Sequence, residues 1–113
     1  MTTRRDLFLE LETQLDGNGD YDSAWVETAS VFNIDVVVTN IGNGQVYVEE
    51  AYTADSSDDT YLHILGAASG GKLKGSVNIA SRYFRVKIDG GTASNTFRAS
   101  VRAVSTTVVT GLS

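Results

Sequence analysis

The sequence has 113 residues and a formal net charge of −5, with 42% hydrophobic and 20% charged residues. A chain of this length can bury an ordinary core as one domain, and this composition favours neither a disordered nor a fibrous protein. The absence of cysteine excludes disulfide frameworks, thiolate zinc sites and cysteine nucleophiles. No stretch resembles a signal peptide or reaches the length of a membrane span, so we expect synthesis and folding in a cytoplasm.

Charge is distributed unevenly along the chain. Thirteen of the fourteen acidic residues lie in residues 1–59, and seven of the nine basic residues lie in residues 60–113. One interpretation is that acidic and basic strands lie side by side and form cross-strand pairs. The other is that oppositely charged faces of neighbouring copies meet in an assembly.

In the first half of the chain, apolar and polar residues alternate, as is typical of strands with one solvated face. Residues 7–15 place leucines on one face, and residues 31–39 place β-branched residues on one face, which favours a core strand. A glycine turn at 41–44 leads into a third alternating stretch at 45–53. This spacing predicts a hairpin between the second and third strands.

The second half continues with short strands. An acidic loop is predicted at 54–59, and the glycine-rich residues 66–71 are predicted to be mobile. Strands are predicted at 61–65, 73–79, 83–88 and 96–103, with a turn at 89–91. The total of about seven or eight short strands, without a long helix, predicts an all-β fold, an antiparallel β-sandwich or jelly roll.

This pattern predicts a single β-sandwich domain at 7–104. It lies between an N-terminal arm at 1–6 and a C-terminal tail at 105–113. Either terminal segment could grip a partner in an assembly, and plain disorder is the alternative for both.

A run of oxygen-bearing side chains suggests one metal site. Asp16, Asn18, Asp20 and Asp22 match the alternating ligand positions of a calcium-loop template. However, Tyr21 occupies the position of the turn glycine, and strands rather than helices are predicted on both sides. We therefore expect a polar turn, with calcium binding as the alternative, and no cofactor.

The sequence carries no evident catalytic set, so we predict that the protein is not an enzyme. His63 is the only histidine, and no strained Gly-x-Ser-x-Gly turn is present. A histidine with a satisfied hydrogen bond in a strand is the expected role. Glu49 and Glu50 are consecutive and point to opposite faces of one strand, which is unsuitable for joint acid–base chemistry. Both glutamates are expected at the surface.

Aromatic and basic residues suggest two kinds of ligand. Trp25, Tyr21 and Tyr83 could form a sugar-stacking platform, although core packing is the alternative fate of a tryptophan. Basic residues at 82–102 could contact phosphates. The acidic residues elsewhere favour a charge-paired sheet or a protein interface, so neither nucleic acid nor membrane is an expected partner.

Three stretches together resemble small virion structural proteins of tailed bacteriophages. They are Ser23-Ala-Trp-Val, then Val46-Tyr-Val-Glu-Glu, then Arg82-Tyr-Phe-Arg-Val-Lys leading through Gly90-Gly-Thr-Ala to Thr96-Phe-Arg. In those proteins a tryptophan strand precedes a Leu-Tyr-Val-Glu-Gln-Ser strand. An Arg-Tyr-x-Arg-Val strand then turns into Ser-Phe-Arg. Here Glu50-Ala-Tyr replaces the Gln-Ser, and residues 7–15 lie outside the matched part.

The resemblance implies a β-sandwich of head decoration or cement type, displayed on a virion, commonly as a trimer, and without enzymatic activity. The expected partners are a major capsid protein or another virion protein, together with further copies of the chain. Arg4 and Arg5 in the arm are the candidate capsid contacts. The alternative is a carbohydrate-binding β-sandwich that recognises a host surface, with or without calcium.

Overall fold

A computed structural model describes residues 2–28, 32–53 and 60–108, with side chains at 7–28, 33–53 and 60–104. The described residues form nine strands. They are β1 (Thr2–Gln14), β2 (Tyr21–Asp22), β3 (Val26–Glu27), β4 (Phe32–Thr39), β5 (Gln45–Ala51), β6 (Thr60–Ala67), β7 (Leu73–Ile79), β8 (Tyr83–Asp89) and β9 (Thr96–Val108). In this part of the chain, no helix is long and apolar enough to cross a membrane.

The strands form two sheets with antiparallel pairing throughout. Sheet A has the order β1-β9-β4-β7, and sheet B has the order β2-β8-β5-β6, with β3 also paired to β8. The predicted all-β sandwich is confirmed. Seven of the nine described strands have at least seven residues, in agreement with the predicted total of about seven or eight. The other two, β2 and β3, contain two residues each.

The core lies between the sheets and is built from the alternating apolar residues. The strand predicted at residues 7–15 is β1, whose Leu9 and Leu11 are half-buried whereas Phe8 and Glu10 are exposed. The largest fully buried side chains come from both sheets and from the turn after β4: Phe84, Phe97, Ile34, Ile41, Ile79, Ile88, Val36, Val38, Val46, Val48 and Val86. Burial of such side chains stabilises a fold by about 1.5–3 kcal/mol each.

The hairpin predicted between β4 and β5 is wrong. Strand β4 lies between β9 and β7 in sheet A, whereas β5 lies between β8 and β6 in sheet B. The turn at 41–44 therefore crosses from one sheet to the other, with Ile41 fully buried at the crossing. Crossing lets the apolar faces of both strands pack against the same core from opposite sides.

Tyr52 follows the end of β5 and is 78% exposed, so it does not continue the inward-facing series of Val46 and Val48.

Three chain segments meet backbone to backbone near this crossing. The Gly91 amide donates to the Gly19 carbonyl at 2.8 Å, and the Thr92 amide donates to the Ile41 carbonyl at 3.2 Å. A Cβ placed on Gly19 would lie 1.9 Å from the Gly91 carbonyl oxygen, and Gly19 has a φ of 76°. Only glycine fits both the contact and the left-handed backbone at this position.

The longest element is the ladder between β1 and β9. It runs from Thr2 opposite Val108 to Gln14 opposite Thr96. Since β4 pairs with β9 only as far as Ser105, the last pairs form a ribbon of two strands. A strand of this length spans about 43 Å, which accounts for most of the 53 Å long axis of the molecule. The ladder passes through both expected domain boundaries, and the division into arm, domain and tail stays a prediction.

Residues 66–71 are placed within defined structure. Strand β6 continues through Gly66 to Ala67, and the turn that follows is closed by hydrogen bonds in both directions between Ser69 and Lys72. Their predicted mobility stays a prediction. The predicted acidic loop at 54–59 lies outside the described residues.

Cross-strand ion pairing within one molecule is confirmed. Among the described residues, four pairs join neighbouring strands: Glu12 with Arg98, Asp35 with Arg102, Glu49 with Arg85, and Asp22 with Lys87. A fifth joins Glu27 on β3 to Arg82, which immediately precedes β8. Five of the seven basic residues of the second half are therefore paired with acidic residues of the first half.

Candidate functional site

The most buried ion pair lies on the outer face of sheet B. Glu49 on β5 and Arg85 on β8 are direct cross-strand partners, and Arg85 Nε donates to Glu49 Oε1 at 2.6 Å. The guanidinium of Arg85 also lies 4.5 Å from the ring centroid of Trp25, a cation–π distance. The Thr60 hydroxyl donates to the other carboxylate oxygen of Glu49 at 2.7 Å. We call these four residues the tryptophan cluster.

Burial and hydrogen bonding act in opposite directions on the Glu49 carboxylate. Burial alone would raise the pKa of Glu49, but hydrogen bonds from Thr60 and Arg85, with the charge of Arg85, lower that pKa below its usual value. The carboxylate is therefore held ionised, and each of its oxygens accepts a hydrogen bond from a protein donor. This arrangement suits a rigid anchor for three chain segments rather than a reactive group.

A second buried carboxylate lies on the inner face of the same strand. Glu50 Oε1 accepts hydrogen bonds from the Ser81 hydroxyl at 2.7 Å, the Ser81 amide at 3.1 Å and the Ala80 amide at 3.3 Å. Glu50 Oε2 is hydrogen-bonded to His63 Nε2. The expectation that both glutamates lie at the surface is wrong, because each is only 8% exposed. They do point to opposite faces, as expected.

Serine, histidine and glutamate meet here, but in the wrong order for nucleophilic catalysis. In a catalytic triad the imidazole lies between the hydroxyl and the carboxylate and takes the hydroxyl proton. Here Glu50 lies in the middle, and Ser81 donates to the carboxylate rather than to His63. The expectation of a satisfied strand histidine is confirmed. Burial would raise the pKa of Glu50, but the hydrogen bonds from His63, Ser81 and Ala80 lower it.

A shallow cavity of about 450 Å³ lies beside this group. Tyr52 and Tyr61 on its rim are 78% and 65% exposed. The polar atoms of Glu50 are already occupied by protein donors, so the cavity offers a ligand mainly aromatic surface.

The loop predicted as a possible calcium site forms a polar turn. Asp16 Oδ1 accepts the amides of Asn18 at 2.8 Å and Asp20 at 2.9 Å. These hydrogen bonds lower the pKa of Asp16. Asp20 Oδ1 accepts the Gly90 amide at 2.9 Å, and Asp22 lies 3.8 Å from the Lys87 ammonium. No group of three or more potential metal ligands occurs among the residues with described positions. Calcium binding, the alternative to this polar turn, stays untested.

The three aromatic candidates are not brought together. Tyr21 packs edge-on against Phe97 in the core, with ring centroids 4.8 Å apart, so its ring is not part of a surface platform. Trp25 stacks with Arg85, while Tyr83 lies 5.6 Å from the guanidinium of Arg82. The rings of Trp25 and Tyr83 thus each have a cationic protein partner.

The basic residues at 82–102 do not form one face. Arg82, Arg85 and Lys87 lie at sheet B, whereas Arg98 and Arg102 lie on β9 in sheet A, and each has a carboxylate partner. Because these cations are divided between the two sheets, they do not form a continuous phosphate-binding surface.

The candidate capsid contacts Arg4 and Arg5 lie on β1. Their backbones pair with Thr106 and Ser105, and their side chains lie outside the described part of the structure.

The outer face of sheet A carries a depression of about 630 Å³. Phe8 on β1 and Val37 on β4, which are 65% and 48% exposed, contribute its apolar surface. Asp35 binds Arg102 within it, at 2.6 Å from the guanidinium Nη2, and also accepts a hydrogen bond from Ser76. This face combines exposed apolar groups with fixed charges, a composition common at protein interfaces.

Comparison with solved structures shows a likeness of fold, whereas the other comparisons find no match. No family model and no curated protein matches the chain. Among solved structures, the fold is similar to that of a chain from Bacillus endospore appendages, which are described as a novel family of disulfide-linked pili. The TM-score is 0.50 at 11% sequence identity, over 96% of this chain and 89% of that chain. At this identity the likeness shows a shared fold.

The two chains differ in one chemical respect that bears on assembly. The appendage pili are disulfide-linked, whereas the present 113 residues contain no cysteine. Association between copies through these residues therefore cannot use a disulfide.

Proposed function

We propose that the protein is a non-enzymatic structural subunit of a repeating surface assembly, and specifically a decoration subunit on the virion of a tailed bacteriophage. The observation that carries the general role is the fold shared with a pilus chain over nearly the whole length of this chain. The buried polar groups agree with it, because the tryptophan cluster and the Glu50 group are internally satisfied and leave no reactive side chain.

The virion assignment rests on the three stretches that resemble phage virion proteins. One residue from each stretch contributes to the tryptophan cluster: Trp25 from the first, Glu49 from the second and Arg85 from the third. Stretches far apart in the sequence thus depend on one another physically, which supports the view that they form one motif. The assignment implies association with a major capsid protein or other virion protein, and a homo-oligomer such as a trimer.

Immuno-electron microscopy tests both levels of the proposal. Antibodies raised against the purified chain are applied to cells and lysates of the organism that encodes it. Regular labelling of phage heads supports the decoration role, whereas regular labelling of filaments supports only the general structural role. If the protein is found only free in solution, with no labelled particle or filament, the structural role is wrong.

A further inference from the structure

We propose that copies of this chain associate side by side, with strand β7 of one copy pairing with strand β1 of the next, so that sheet A continues from subunit to subunit. This inference rests on the proposed structural role and names the surface that such a role would use. The partner at the open edge of sheet A is a second copy of the same chain.

Both strands involved are open edges. Strands β1 and β7 are the two outer strands of sheet A, and no other described segment pairs with their outer sides. Natural proteins protect such edges with proline, with bulges or with charged side chains, lysine especially. The chain has no proline, and β7 carries only Lys74 as a charged residue. An edge of this kind favours strand addition.

The strand directions allow the sheet to continue. Each neighbouring pair in sheet A is antiparallel, so β1 and β7 of one molecule run in opposite directions. A second copy placed alongside in the same orientation therefore presents its β1 antiparallel to β7 of the first. Such head-to-tail contact uses two different surfaces and leaves one edge free on each end copy.

The charges on the two edges match in sign and spacing. Lys72 and Lys74 are exposed on the β7 side, and neither forms an ion pair within the described part of the chain. Glu10 and Glu12 are exposed on β1, with the same spacing of two residues; Glu12 also pairs with Arg98 of its own chain, so a lysine of the next copy would share this carboxylate. No acidic residue occurs between residues 60 and 88, so the β7 edge has no internal partner nearby in sequence for its two cations.

The ladder registers place these charges at the same level. Glu10 lies opposite Ser100, Ser100 opposite Val37, and Val37 opposite Lys74. In a second copy at the same height, Glu10 therefore meets Lys74 of the first copy. Lys72 immediately precedes β7 and, two residues from Lys74, lies at the level of Glu12. Because its backbone already bonds to Ser69, only its side chain takes part in this contact. Both ion pairs form in one register.

The same register covers an exposed aromatic ring. Phe8 lies opposite Arg102, Arg102 opposite Asp35, and Asp35 opposite Ser76. Phe8 of the next copy thus lies beside Ser76 and the aliphatic stem of Lys74, where its 65% exposed ring loses contact with water. Sheet B cannot be continued in the same way, because β2 and β3 have two residues each.

Charge reversal provides the test. One variant carries Lys72→Glu and Lys74→Glu, a second carries Glu10→Lys and Glu12→Lys, and a third carries all four substitutions. Sedimentation velocity over a range of concentrations measures association at low and high ionic strength. Circular dichroism establishes that each variant is folded.

The wild-type chain is expected to associate, and each double variant to bind itself at least about tenfold more weakly, because like charges then face each other. The two double variants shift net charge in opposite directions, so a general effect of net charge cannot weaken both. Mixing the two double variants is expected to restore association, since each edge again meets the opposite charge. The fourfold variant is expected to self-associate and is the matched control.

Other outcomes overturn the inference in distinguishable ways. If the wild type associates and both double variants do so equally well, the β7–β1 contact is wrong while the structural role stands. If the wild type is monomeric at every concentration but antibodies label particles, only the contact is wrong. A monomer that labels no particle contradicts both the contact and the proposed function.

Discussion

Replacing Arg85 by methionine tests how the tryptophan cluster stabilises the fold. Methionine keeps much of the volume of the arginine stem but removes its charge, so Glu49 keeps only the Thr60 hydroxyl as a side-chain donor. Removing one partner of a buried ion pair costs about 3–5 kcal/mol. Because 14% of the Arg85 and 10% of the Glu49 side chain remain exposed, we expect about 3 kcal/mol, which includes the lost contact with Trp25.

The pH dependence of this loss has a defined sign. Interactions with the protein lower the pKa of Glu49 in the folded state, so its stabilising contribution is present above the usual value of 4.5. It is lost as the pH falls through the lowered value. In Arg85→Met, burial without a cation raises the pKa of the same carboxyl. The gap in stability between wild type and variant should therefore narrow as the pH is lowered from 7 toward 4.

Chemical denaturation at several pH values measures both effects. Arg82→Met is the matched control, because Arg82 pairs with Glu27 at 2.9 Å but both side chains are about 60% exposed. Its loss should be a small fraction of that for Arg85→Met. A loss below about 1 kcal/mol for Arg85→Met, or a loss independent of pH, would refute this account of the cluster.

Two further predictions concern the turns at the opposite end of sheet B. Gly19→Ala should lower the thermal unfolding temperature strongly, because its Cβ would lie 1.9 Å from the Gly91 carbonyl oxygen. Gly17→Ala, with open space around it, should be nearly neutral. Equal effects of the two substitutions would contradict the close packing at Gly19. The hydrogen bond and charge of Asp20 raise the pKa of the Asp89 carboxyl, so Asp20→Asn should return it toward 3.8 in a carboxyl NMR titration. An unchanged Asp89 titration would show that the two carboxyls do not interact.

The sequence predicted the positions of the strands better than it predicted which strands pair with one another. The alternation of Ile34, Val36 and Val38 shows that one face of β4 is buried, because a side-chain period of two has this meaning in any sheet. It does not show which strand lies alongside. The glycine turn at 41–44 has the same composition whether the chain returns in the same sheet or crosses to the other, so the hairpin error could not be detected locally.

The burial of Glu50 agrees with its position in the alternation of β5 but not with its charge, and the expectation of a surface position relied on the charge. Glu50 continues the inward series of Val46 and Val48, and this spacing of two residues predicts burial. Its partners Ser81 and His63 come from segments distant in sequence, so the compensating hydrogen bonds were not apparent. In the same way, Glu49 and Arg85 became recognisable as partners only when the register of β5 and β8 was known.

The ladder between β1 and β9 has a mechanical consequence. Thr2 lies directly opposite Val108, so a force that pulls these two residues apart acts on one cross-strand pair at a time. Backbone hydrogen bonds in an antiparallel pair run perpendicular to the strands, and this direction of pull opens them in succession, as a zipper opens. A force along the strand axis would instead shear many pairs at once. A filament or shell built from this subunit would resist tension best if the load entered along the strands rather than through the paired ends of the ladder.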